Sequence, residues 1–356
     1  MSRRQAEFAA WVLGGVGLFG TVIGSWIVSP GVFSHAWLAA LSVWIGWPIG
    51  CMGLLLIHAL TGGRWGEVTR PHLVAGMVTL PLLVPALIPL LGMLSELYPW
   101  MRPDVALHLD NRFYLNPPFF FGRVIFYLVV WFGLASLILR ALRQDRSESM
   151  LARIAPFGLI LLAITVTYAA IDTTMSLDPH FVSSVYGLIE IVEMGLLALS
   201  VSVLAAAIGS PPDASTLRNL GQLLLGLVLL WAYLDFMQVL IVWQSDLATE
   251  APWYLLRTTG GWGVAAAVVA VGHFVLPFFA LIWPQVQRSR FGIASVAVLL
   301  VLSAVVHGWW LVVPASGRGF GPVDVLAMLG LLGIAVAFAL RAPLSPMMRE
   351  AMRRHA

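Results

Sequence analysis

The sequence predicts an all-α polytopic membrane protein of about ten transmembrane helices, on three observations. Of 356 residues, 60% are hydrophobic and only 10% are charged, against about 25% charged in soluble domains. The mean hydropathy is +0.91. The apolar residues also fall into runs of about 20, enough to cross a hydrocarbon core of about 30 Å as a helix. Together these exclude a soluble enzyme, a disordered chain and a nucleic-acid binder. The pI near 9.3 does not point to nucleic acid, because the net charge is only +3.

In chain order the apolar segments cover roughly 8–28, 36–60, 72–95, 118–140, 154–172, 182–208, 218–243, 259–283, 291–313 and 322–341. Turn-forming residues separate them: Ser29-Pro30-Gly31, Thr61-Gly62-Gly63, Asn116-Pro117-Pro118, Ser210-Pro211-Pro212 and Pro314-Ala315-Ser316-Gly317. The longest connection, roughly 96–117, is too short for an inserted soluble domain, so residues 1–356 read as one integral membrane domain. The first segment follows Arg3 and Arg4 as a signal peptide would. Its apolar run exceeds the usual 7–15 residues and no small-residue cleavage site follows, so it reads as an uncleaved helix. Gly20 with Gly24, and Gly46 with Gly50, permit close helix approach and point to packing inside the bundle. Trp37, Trp100, Trp243, Trp253 and Trp283 fall near segment ends, where an aromatic belt is expected.

Orientation follows from arginine, which supplies all 20 basic residues. With the N-terminus inside, Arg3, Arg4, Arg64, Arg70, Arg140, Arg143, Arg146, Arg153, Arg218, Arg288, Arg290, Arg341, Arg349, Arg353 and Arg354 are cytoplasmic. Only Arg102, Arg112, Arg257 and Arg318 are outside, and Arg123 lies within the fourth segment. Positive charge marks the cytoplasmic side, so both termini are expected there, in a bacterial inner membrane. The single cysteine, Cys51, sits in an apolar run. One cysteine allows no intrachain disulfide, no Cys-only iron–sulfur cluster and no CxxCH haem attachment. Any redox centre therefore belongs to a partner or is held non-covalently.

A charge at membrane depth is costly and needs a reason. From residue counts at 1.5 Å per residue, Glu190 lies about 13 Å and Glu193 about 18 Å below the outer end of the sixth segment. Their i,i+3 spacing puts both on one face. On the same count, Asp235 lies about 12 Å below the outer end of the seventh segment. His273 is near the middle of the eighth, and His307 is about 9 Å below the outer end of the ninth. Asp172 ends the fifth segment. His58, His72 and Glu67 lie near the inner surface. Carboxyls and imidazoles ranged from the midplane to one face suit proton transfer. Each also has a plainer reading. The glutamates could be neutral and hydrogen-bonded between helices, Asp172 could end a helix, and the histidines could be packing residues. Asp235 is the strongest single functional candidate. A bis-histidine haem is disfavoured, because His273 and His307 differ by about 10 Å in counted depth.

The stretch Tyr168-Ala-Ala-Ile-Asp172-Thr-Thr-Met-Ser-Leu-Asp178-Pro179-His180-Phe181 resembles the MSLDPHW signature of the ActF-type membrane subunit of bacterial alternative complex III. That complex is a quinol:cytochrome c oxidoreductase, and the subunit family belongs to the NrfD/PsrC-like membrane group. Three further stretches are similar: Tyr114-Leu-Asn116-Pro117 through Arg123, Trp231-Ala-Tyr233-Leu-Asp235-Phe-Met-Gln238 through Trp243, and Glu250-Ala-Pro-Trp253-Tyr254. Phe181 stands where the signature has Trp, and Asp235 departs from the family's usual residue. The resemblance implies two four-helix bundles, helices two to five (36–172) and six to nine (182–313), flanked by helices one and ten. It implies partners: an ActC-like paralogue, a multihaem cytochrome c, an iron–sulfur subunit and a terminal oxidase. Haems and clusters would sit on those partners, with a quinone or quinol as this chain's own candidate ligand. Asp178, His180, Tyr233, Gln238, Trp243 and Arg123 are the motif positions. The expected proton route is Glu190, Glu193 and Asp235, with His273 beside it and Asp172 and His307 near the exit. A purely structural subunit that docks an oxidase and a secondary transporter are the alternatives.

Overall fold

The computed structural model describes residues 2–27, 29–143, 147–209, 212–245 and 248–341. Arg146, Ser210, Pro211, Arg349, Arg353 and Arg354 lie outside the described residues. The described chain is helical throughout, without a strand, and ten helices are long and apolar enough to cross a membrane. It is an all-α polytopic membrane protein. The helices are α1 (Arg3–Ile27), α2 (Pro30–Thr61), α3 (Arg64–Leu91), α4 (Pro117–Leu142), α5 (Ser147–Thr173), α6 (Tyr186–Ile208), α7 (Ala214–Ser245), α8 (Gly261–Ile282), α9 (Arg290–Val312) and α10 (Pro322–Arg341).

The segment centres match the apolar runs and the ends differ. α3 starts eight residues before the apolar run, because Arg64, Glu67 and Arg70 continue the helix beyond it. It is interrupted at Thr79–Leu82, where Pro81 lacks the N–H an α-helix needs and a 3₁₀ turn takes over. α6 starts at Tyr186 rather than at 182, so Glu190 is about 6 Å and Glu193 about 10 Å along it. Both carboxyls are thus closer to that end of the bundle than residue counting from 182 suggests. A short helix, Ala251–Thr258, precedes α8 and has no apolar run long enough to announce it.

α2 is apolar all round and packs against α3, α5, α6, α9 and α10, as a central helix must. α6 is its main partner and also touches α3, α5, α7 and α9. The crossing is close: a Cβ at Gly50 would overlap the Met194 carbonyl. α4 lies on α5, and α8 lies on α7 and α9. One continuous apolar core joins helices two to five with six to nine. α1 rests chiefly on α10, which in turn packs on α2. Gly20 and Gly24 face Leu326 and Val323 of α10, while Gly46 and Gly50 face α6. Both glycine pairs therefore serve packing inside the chain.

At one end of the bundle, contacts close a ring. Tyr98 and Trp100 donate to the Thr173 and Ser176 carbonyls, Phe181 stacks on Trp253 at 4.4 Å, and Arg318 reaches the Val32 carbonyl. At the other end Arg3 bonds the Leu340 carbonyl and Arg64 pairs with Asp213. The expected aromatic belt holds for Trp243 and Trp283, which are exposed. It fails for Trp37, Trp100 and Trp253, which are buried. Trp37 and Trp100 spend their indole N–H on carbonyls of other segments. Cys51 is buried.

Candidate functional site

Five of the six ionisable residues picked out by depth come together around Glu193. Its Oε2 lies 3.1 Å from His273 Nε2 and its Oε1 lies 3.8 Å from His307 Nδ1. The carboxylate thus bridges two imidazoles whose ring centroids are 6.3 Å apart. The depth difference of about 10 Å expected from counting does not separate the rings. Counting assumes that helix ends share a plane, and it ignores the reach of side chains. Trp231 of α7 closes the group, 4.3 Å from His273 and 5.6 Å from His307 between ring centroids. Glu193 and Trp231 occupy the neighbourhood a haem would need between the two imidazoles, so the residues present do not fit that group. Among the described residues no set of three or more His, Cys, Asp or Glu side chains is placed to hold a metal ion.

The backbone explains how His273 reaches this position. Residues Ala270–Val275 form a π-helical turn inside α8. Pro277 lies four residues after His273, so it withdraws the N–H that would bond the His273 carbonyl and its ring crowds that carbonyl. Inserting a π turn is one way a helix relieves such a conflict, and such turns recur at functional sites. Gly272 permits the contact with α9, since a Cβ there would stand 2.5 Å from Ser303 Oγ. His273 Nδ1, His273 Nε2 and Glu193 Oε2 all lack hydrogen-bond geometry to a partner among the described residues, so the 3.1 Å approach is a close contact of the two groups.

Three cavities meet the cluster. A cavity of about 560 Å³ lies between α7, α8, α9 and the short helix, with Asp235, His307 and Trp231 in its wall. A cavity of about 20 Å³ between α2, α6 and α9 is walled by Glu190, Glu193 and His307, enough for about one water molecule. A third, of about 140 Å³, lies among α2 to α6 and also ends on Glu190. His307 is therefore shared by the first two and Glu190 by the last two. The ionisable groups thus link neighbouring cavities.

Asp172, expected at the proton exit, is instead paired with Arg123. The guanidinium is bidentate, with Nε to Oδ2 and Nη2 to Oδ1 both at 2.8 Å. Tyr127 donates to Oδ2 at 2.7 Å, and Arg123 also bonds the Tyr114 carbonyl. The guanidinium packs over the Tyr114 and Phe119 rings. The motif stretch around Tyr114 and Arg123 is thus the other half of the Asp172 ion pair.

The remaining motif positions are distributed. Asp178 accepts the His180 backbone N–H at 3.0 Å and shapes an exposed turn. Gln238 is buried and accepts from Ser183 at 2.7 Å. Tyr233 and Trp243 face outward at 60% and 77% exposure. Sequence reasoning passed over Arg257, which is 1% exposed. It bonds the Trp253 and Leu311 carbonyls at 3.0 and 2.7 Å and lies on the Trp253 ring. Burial lowers its guanidinium pKa to about 10. Burial also raises the Tyr254 phenol beside the large cavity. Pro277 was a readable signal for the His273 distortion. Trp231 opens one of the motif stretches, but nothing in that stretch placed it beside the two histidines.

No family model matches the chain, and no curated protein matches it.

Proposed function

We propose that this chain is a proton-handling membrane subunit of a respiratory or photosynthetic quinol:acceptor oxidoreductase, of the alternative complex III type its motifs resemble. The observation that carries the reading is Glu193 held between His273 and His307, with Glu190 and Asp235 on adjoining cavities. An imidazole can gain or lose its proton near neutral pH, and a carboxylate beside two of them can pass it on. Quinol oxidation releases protons, and a subunit beside the oxidising site can carry them away. The redox centres and the ActC-like, cytochrome and iron–sulfur partners belong to this proposal, as does placement in a bacterial inner membrane with both termini cytoplasmic.

The test uses the intact complex. Glu193→Gln and Asp235→Asn keep size and polarity and remove the titratable proton. We expect proton release per quinol to fall, with turnover lower by about 10²-fold for Glu193→Gln, the range in which a positioned acid–base group acts. Unchanged turnover and stoichiometry in an assembled complex would leave the subunit a structural role.

A further inference from the structure

The cavity of about 560 Å³ falls in the size range of small-molecule sites, and its mouth opens sideways, where Tyr233 and Phe236 are 60% and 61% exposed. A ligand would enter it from the lipid. Its wall is mostly apolar and aromatic, with Trp231, Tyr254, Phe274 and Trp310 around Asp235 and His307. Among the described residues Asp235 makes no hydrogen bond or ion pair, in contrast to Asp172 and Asp324, each held bidentately by an arginine. A carboxyl left without a partner in an apolar wall calls for one from outside the chain.

The charges around it indicate what that partner carries. α6 contributes Glu190 and Glu193, α7 Asp235, α8 His273 and α9 His307. The short helix contributes Tyr254 to the wall, while its Arg257 guanidinium is committed to the Trp253 and Leu311 carbonyls. No arginine lines the cavity. His307, the one imidazole of the wall, is turned to Glu193, which leaves Asp235 without a positive partner. Aromatic faces attract cations as well, most strongly where water is excluded. We propose that this cavity binds a lipid-soluble organic cation, with a single delocalised positive charge on an apolar body, against Asp235.

This goes beyond the proton-handling reading and can be tested without redox partners, so the two can fail separately. The full chain in nanodiscs of zwitterionic lipid is titrated with tetraphenylphosphonium by equilibrium dialysis. Saturable binding of one cation per chain is expected. It should weaken at least tenfold in Asp235→Asn and stay within about threefold in Asp235→Glu, with the neutral analogue tetraphenylmethane failing to compete. Non-saturable partitioning, unchanged binding in Asp235→Asn or equal competition by the neutral analogue would overturn the proposal. A second readout needs no variant. Dicyclohexylcarbodiimide, a lipid-soluble carboxyl reagent, should label Asp235, and saturating cation should protect it. Labelling that the cation leaves unchanged also overturns the assignment.

Discussion

Two buried carboxylates, Asp172 and Glu193, invite comparison. Asp172 is satisfied by a guanidinium that never loses its charge and by a tyrosine hydroxyl. Glu193 is met only by imidazoles, which can lose theirs, and it borders a cavity. The first arrangement fixes a position, and the second suits the proton transfer proposed above. On that proposal the partner's chemistry, more than burial itself, separates a structural carboxylate from a working one.

The largest expected effect breaks the structural side. Arg123→Leu leaves Asp172 buried and uncompensated, which costs about 3–5 kcal/mol. The yield of folded protein and its thermal midpoint should fall together. The double variant Arg123→Leu with Asp172→Leu should recover most of the loss, because a packed apolar pair can replace a buried ion pair. On the working side the signs reverse. His273→Gln keeps a polar side chain beside Glu193 but holds no charge, so proton-coupled turnover should drop by about 10²-fold with the thermal midpoint near wild type. Pro277→Ala sharpens the comparison. It restores the N–H that α8 lacks and should convert the π turn to α-helix. His273 would then be re-aimed, and turnover should fall by about tenfold, a loss of about 1.4 kcal/mol in the barrier.

The smallest effect lies outside both sites. Asp213 caps α7 by accepting the Thr216 N–H at 2.8 Å. Hydrogen bonding from Thr216 holds its carboxyl below the usual carboxylate range. The stabilisation is therefore present at neutral pH and is lost as pH falls through that lowered value. Hydrogen exchange at the Thr216 amide, followed down in pH, should lose its protection and approach the intrinsic rate only in that acid range.

The ten helices were legible because hydropathy and helix length are local properties of a sequence. The cluster was half legible. The i,i+3 spacing of Glu190 and Glu193 and the scarcity of membrane charge named five of its members. Their convergence depends on where α6, α7, α8 and α9 cross, which no single segment encodes. The partner of Asp172 was hidden for the same reason: Arg123 is 49 residues away in sequence, and only the packing of α4 on α5 makes them neighbours. Trp231 shows the converse limit: its motif stretch singles it out, and only the packing of α7 against α8 and α9 sets it on the two imidazoles.

The glycine-lined seam between α1 and α10 has a consequence for how the chain is made. A Cβ at Gly14 would stand 2.7 Å from the Ile334 nitrogen, and one at Gly333 would stand 2.6 Å from the Gly14 nitrogen, so the seam closes only by backbone contact. α1 is synthesised before α10 and finds its main partner there. At about 5–20 residues per second, it waits on the order of tens of seconds with its glycine face against lipid. Closure of this seam is thus timed by the synthesis of α10, and a chain stopped before α10 would leave the glycine face of α1 uncovered.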